Sequence, residues 1–459
     1  MAPVNRVPPD ILALIPDFWD KHDDDIDQDV IALTHVCRAW RGVFISRPSL
    51  WTNVDCKNEG KTRIYLERSK SLLVNLSLGP GVCLSSHHPF LKIIPHAVGR
   101  LRSLTIKGTP KNLQYITNRL SRPAPLLEKL SIHNDYDYRP SHSLVLPPTL
   151  FNGDLSSLRE LRLESVRTEL PWRNMVNLTS ITLIHMWWGE DSIKDSAKQL
   201  LDFLESAPHL RTVNLLVIPT RDDQDGRLVS LARLERMEIT GGGSASPLLN
   251  HLLIPVGANL RIEVVLPSPP DKDHLPRFLD NLRNFPDFTD IRLIIAGYDM
   301  QMQFSGPNGQ VEIIPRSHRF VDTGSVLESV NQFDTSNVKR LRIDSSNSPS
   351  TDLSYRVLLP MKRLRTLALH CGCPHNSVHA LHPTMSSSGV VACPELEELV
   401  IAPDRRAFDM ESVIGVAAAR ASRGLKLKSV RIAAQNQPAR TDVLELEKHV
   451  LSVECGLGR

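Results

Sequence analysis

Leu158-Arg159-Glu160-Leu161-Arg162-Leu163 sets apolar residues at i, i+3 and i+5, and this spacing governs how most of the chain is read. The pattern recurs upstream at Leu73/Leu76/Leu78, Leu101/Leu104/Ile106 and Leu127/Leu130/Ile132. It continues at Leu178/Ile181/Leu183, Leu210/Val213/Leu215 and Leu234/Met237/Ile239, then in poorer register around Leu260 to Leu266. Later copies start at Phe288, Val338, Leu364, Leu396 and Leu427. The i+3 and i+5 residues lie on one side of a strand. Each copy therefore offers the same small apolar face. A face that small is buried only when neighbouring copies stack. Starts in the first part are spaced 20 to 32 residues apart, the period of a strand-plus-helix solenoid.

Segments between the strands are expected to be helices or turns. The best is Ser192 to Ser206, with Ile193, Ala197, Leu200, Leu201 and Leu204 on one face. Met410 to Arg420 and Asp322 to Phe333 are weaker examples. Gly297 to Gly324 reads as an excursion from the repeat.

Outward from this body, the first fifty-odd residues differ in kind. Residues 1–55 hold five Lys/Arg and nine Asp/Glu, a net of −4, so the remainder carries +7 of the overall +3. An acidic head and a mildly basic body suggest two modules with different partners. Pro8-Pro9 can start a helix bearing Ile11, Leu12 and Ile15, which Pro16 ends. Asp17 to Asp29 carries seven aspartates and reads as a solvated loop. Asp29 is a candidate N-cap. After it, Val30, Leu33, Val36, Cys37 and Trp40 form one apolar stripe, and Leu50-Trp51 closes the segment. Three short helices bury little surface alone. Their stripes either pack against each other and the body or await another chain.

The ordered blocks Val7-Pro8-Pro9-Asp10-Ile11-Leu12, Leu33-Thr34-His35-Val36-Cys37-Arg38-Ala39-Trp40-Arg41 and Pro48-Ser49-Leu50-Trp51 resemble an F-box. More narrowly they are similar to the F-box of mushroom-type fungi. The resemblance covers about fifty residues. It implies a three-helix fold that binds the linker protein Skp1 and, through it, the cullin scaffold of an SCF ubiquitin ligase. By position, it implies Skp1 contacts from Pro8, Ile11, Leu12 and Ile15 on the first helix. Val30, Leu33, Val36, Cys37 and Trp40 follow on the second, and Leu50 and Trp51 on the closing segment. The acidic insert departs from the family by lengthening the first loop. The body resembles the irregular leucine-rich repeats that often follow an F-box. It departs at i+8, where Thr109, Asp135, Val166, Met186, Ile218 and Gly242 replace the usual Asn or Cys.

The expected architecture is thus α+β or α/β: a three-helix F-box over residues 1–54, then an irregular leucine-rich-repeat-like solenoid of strands and helices over 60–459. The expected function is a substrate-recognition adaptor with Skp1, a cullin and an unknown protein substrate as partners. The alternative is a non-catalytic repeat scaffold whose N-terminal helices cap the solenoid. Residues between the buried strand positions should face the substrate: Arg162, Glu164, Glu238, Arg292, Arg340, Arg342, Asp344 and Arg431. An ordinary solvated face fits the same spacing.

Other chemistry finds little support. The small net charge and an aromatic content of 5% do not imply a nucleic-acid groove or an anionic-membrane binder. Seven scattered cysteines read as reduced intracellular thiols. With neither a secretory signal nor a membrane span evident, a cytoplasmic or nuclear protein is expected. Cys371, Cys373 and Cys393 beside His370, His375 and His379 allow a zinc reading. Their Cys-x-Cys spacing instead favours incidental thiols, and no cofactor or metal is expected. Gly241-Gly242-Gly243 lacks the lysine of a phosphate loop, and no catalytic motif is present, so no enzyme activity is expected.

Overall fold

The computed structural model describes residues 7–15, 26–79, 90–135, 144–147, 149–168, 175–186, 193–216, 227–242, 248–249, 251–265, 288–296, 299–307, 309–316, 323–331, 333–346, 349–385, 390–403, 409–434 and 438–457. The protein is mixed α/β, with a mostly parallel sheet in each of two compact units. One unit comprises Met1–Asp223 and Val229–Arg233; the other comprises Gln224–Leu228 and Leu234–Arg459. The head lies within the first unit, together with the first strands of the body.

In the first unit the head holds α1 (Pro9–Leu14), α2 (Ile26–Val36), α3 (Arg38–Ile45) and a 3-10 turn at Pro48–Trp51. Asp29, expected to be the N-cap, lies inside α2, which starts three residues earlier. The apolar stripe is not one helix. Cys37 is extended (φ −160°, ψ 174°) and splits it into α2 and α3. Arg41 closes the break, its Nε donating to the Thr34 carbonyl at 2.8 Å.

Seven strands follow in spatial and chain order, each parallel to the last. They are β1 (Asn53–Asp55), β2 (Val74–Leu78), β3 (Leu101–Gly108), β4 (Lys129–Asn134), β5 (Glu160–Glu164), β6 (Ser180–Ile184) and β7 (Thr212–Leu216). Their register puts Val54, Leu76, Leu104, Leu130, Leu161, Ile181 and Val213 in one row. That row is the i+3 position of the repeat. All its members are buried, as is the i+5 row beside it.

The second unit holds β8 (Arg236–Gly242), β9 (Asn259–Val265), β10 (Asp290–Ala296), β11 (Asp299–Gly306), β12 (Gly309–Arg316), β13 (Arg340–Ser345), β14 (Thr366–Cys371), β15 (Glu398–Ile401), β16 (Ser429–Ala434) and β17 (Ser452–Leu457). The supposed excursion at 297–324 in fact supplies two strands of the sheet. The chain doubles back through β11 and β12, antiparallel to each other, and β12 pairs with β9. Met300, Met302 and Phe304, then Val311 and Ile313, alternate with period two and point inward, all buried. Phe304 stacks among Phe288 and Phe333, with ring centroids 5.2 and 4.3 Å away. From β13 to β17 every pairing is parallel, and Leu341, Leu367, Leu399, Val430 and Val453 share a row.

Helices fill the intervals, beginning with α4 (Glu59–Arg68), α5 (Phe90–Ala97), α6 (Pro110–Thr117) and α7 (Ile193–Ser206). Next come α8 (Thr323–Val330), α9 (Thr351–Leu358), α10 (His375–His379), α11 (Met410–Ser422) and α12 (Arg440–Glu447). Asn58, Ser350 and Asp409 cap three of them by accepting backbone N–H bonds. Before most strands the chain makes the same tight turn. The amides of Leu127, Leu158, Leu178, Leu210, Leu364 and Leu396 each donate to the carbonyl three residues back.

Candidate functional site

Two surfaces carry the residues singled out above. The first is the head. Leu12, Val30 and Trp51 are buried by the chain itself. Ile15, Leu33, Cys37, Trp40 and Leu50 are half-buried. Pro8, Ile11 and Val36 are exposed, and Leu14, which the motif reading passed over, is exposed with them. Ile11, Leu14 and Val36 stand 54%, 46% and 50% open to solvent. Trp40 meets Phe44 edge-on at 5.7 Å. Trp51 belongs to the fold's interior: its Nε1 donates to the Phe44 carbonyl at 3.0 Å, and its ring meets Tyr65 at 4.9 Å.

The second surface is the solvent face of the strands. All eight residues read as substrate-facing engage in ion pairs within the chain, and the two units hold them separately. In the first unit Arg162 pairs with Glu164 at 3.2 Å, and His133 reaches the same carboxylate. In the second, Arg261 bridges Glu238 and Glu312 at 3.5 and 2.7 Å. Arg292 and Arg342 converge on Asp344 at 3.1 and 2.9 Å. Arg340 pairs with Asp290, and that hydrogen bond raises its pKa. Arg431 spans Glu398 and Glu454 at 3.1 and 2.8 Å. The acids offset bases on the same or a neighbouring strand, so the face presents little net charge to a visitor.

The cysteine–histidine cluster does not converge. Among the described residues no group of three or more His, Cys, Asp or Glu is placed to hold a metal ion. His370 sits beside Asp344; burial, with Arg342 next, lowers its pKa. The Cys371 thiol donates to the Ile343 carbonyl and the Cys393 thiol to the Leu358 carbonyl. Burial pushes both thiols up to about 12. At pH 8 about one thiol in ten thousand is then the reactive thiolate. Iodoacetamide at pH 8 is expected to leave both unmodified in the native protein and to label them only after denaturation, read by peptide mass spectrometry. Gly241 and Gly242 end β8 rather than opening a helix, while Gly243 and His87-His88 lie outside the described residues. No helix among the described residues is long and apolar enough to cross a membrane.

The chain matches no protein-family model and no curated protein.

Proposed function

We propose that this chain is a non-catalytic substrate-recognition adaptor of an SCF-type ubiquitin ligase. The observation that carries the reading is the exposure of Ile11, Leu14 and Val36 on the short helices of the head. Each is already about half covered, so completing its burial is worth about 1 kcal/mol. Three exposed apolar residues within one small module are candidates for a surface that a partner covers. The F-box-like blocks fall on these elements: Pro8 to Leu12 on α1, Leu33 to Arg41 across the Cys37 break, and Pro48 to Trp51 on the closing turn. In this reading Skp1 covers the exposed positions and joins the chain to a cullin. The repeat body then presents a protein substrate.

Co-expressed with Skp1, the intact chain should elute as an equimolar complex. Ile11→Asp with Val36→Asp should elute alone while melting as the parent does, because both sites are already exposed. Equal recovery of the variant, or no complex with the parent, would count against the adaptor role.

A scaffold whose head caps the sheet is favoured by one feature. Val54 is buried in β1 and Trp51 against α4, so the head's last residues cover the first repeat. This capping leaves Ile11, Leu14 and Val36 uncovered and so does not compete with the adaptor role.

A further inference from the structure

A groove of about 610 Å³ runs along the N-terminal ends of the strands in the first unit. Two rows of side chains line it, flanking the buried leucine that precedes each strand. The leading row runs from Leu126 through Ser157, Asn177 and His209 to Arg233. The trailing row is Glu128, Arg159, Thr179 and Arg211. All of them belong to the first unit. The backbone fixes their spacing. Amides 159 and 160 share the Glu128 carbonyl, 179 and 180 that of Arg159, and 211 and 212 that of Thr179. With strands about 4.8 Å apart, these three steps make a channel roughly 14 Å long, the reach of about four extended residues.

The chemistry changes along this channel. At one end Glu128 is neutralised by Arg102 at 2.9 Å. Towards the other, the lining becomes cationic with Arg159, Arg211 and Arg233. Among the described residues, Arg159 and Arg233 have no acidic partner, unlike the arginines of the strand face. The buried Nδ1 of His209 also lacks a hydrogen-bond partner. Such a nitrogen is costly to leave unmet; once the ring turns toward the groove, and in the tautomer that carries a proton at Nδ1, an incoming oxygen accepts from it.

We propose that this groove binds an extended acidic peptide segment of a partner protein. Its carboxylates or phosphates face Arg159 and Arg233, and one oxygen reaches His209. The proposal rests on the adaptor reading only in assigning that segment to the substrate. A single-stranded nucleic acid is disfavoured because no Phe, Tyr or Trp lines the groove to stack a base.

The test is fluorescence anisotropy of the full chain with labelled peptides of about eight residues: Glu/Asp-rich, phosphoserine-rich and Lys-rich, alongside oligothymidine. Both acidic peptides should bind, more weakly at high salt, and the tighter one identifies the source of the charge. Arg159→Glu with Arg233→Glu should weaken binding by about tenfold or more, and His209→Ala should weaken it less. Arg162→Glu, on the paired strand face, should leave it unchanged. Charge-neutral Arg159→Gln with Arg233→Gln, checked by melting, separates lost contact from misfolding. The proposal is overturned by absence of saturable acidic-peptide binding, by undiminished binding to the reversal variant, or by oligothymidine binding as tightly. Skp1 capture by the same samples distinguishes the two claims. Skp1 binding without peptide binding removes the groove alone, and the converse removes the adaptor reading alone.

Discussion

Trp51→Ala is expected to destabilise the first unit by about 3–5 kcal/mol. Trp51 is 1% exposed and is among the largest fully buried side chains. Truncation leaves a cavity against Tyr65, orphans the Phe44 carbonyl that its Nε1 engages, and removes the ring over which Arg68 lies at 4.3 Å. Trp51→Phe keeps most of the apolar contact but loses the N–H, so it should cost distinctly less. Urea unfolding followed by circular dichroism measures both. If Trp51 served mainly as a partner contact, the Ala variant would melt like the parent and lose only Skp1 affinity. Full burial predicts the opposite order.

The second large effect is expected at Arg420, which has no exposed surface although it sits on α11. Its guanidinium donates to the carbonyls of Ala392 and Cys393 at 3.1 and 2.8 Å, and no carboxylate is among its hydrogen-bond partners. Burial lowers its pKa. The segment it holds is strained: Cys393 adopts φ 49°, in the left-handed region that a side chain disfavours, and its carbonyl also receives the Leu396 amide in the turn that precedes β15. Arg420→Ala removes the fork, opens a cavity and leaves carbonyls short of donors. A loss of about 3 kcal/mol or more from the second unit follows. Arg420→Lys should recover only part of it, because one ammonium cannot span both carbonyls as a planar fork does. Differential scanning calorimetry of the three proteins checks the ranking.

The apolar rows of both sheets were legible in the sequence because their information is local. Of the twelve clear copies of the pattern, only Leu73 at the first position escapes burial, at 37% exposed. The insertion of β11 and β12 was hidden for a topological reason. The repeat template expects one parallel strand per period, so a hairpin inside a period reads as a departure. Its alternating Met300, Met302 and Phe304 were the available signal. The break at Cys37 was hidden because apolar spacing is indifferent to a single extended residue. The strand-face residues were placed on the solvent side by spacing alone. Their mutual pairing was not, since partners such as Arg292 and Asp344 are 52 residues apart and meet only through strand register. The groove escaped notice for a related reason: its lining flanks the buried leucines, at positions the repeat pattern ignores.

The account depends on the head being completed by another protein. Amide hydrogen exchange of the full chain, with and without Skp1, tests this most directly. The account predicts that exchange slows by about tenfold or more in Pro9–Leu14 and around Val36, while the strands of the second unit are unchanged. Unaltered exchange throughout the head at saturating Skp1, or protection confined to the strands, would contradict it.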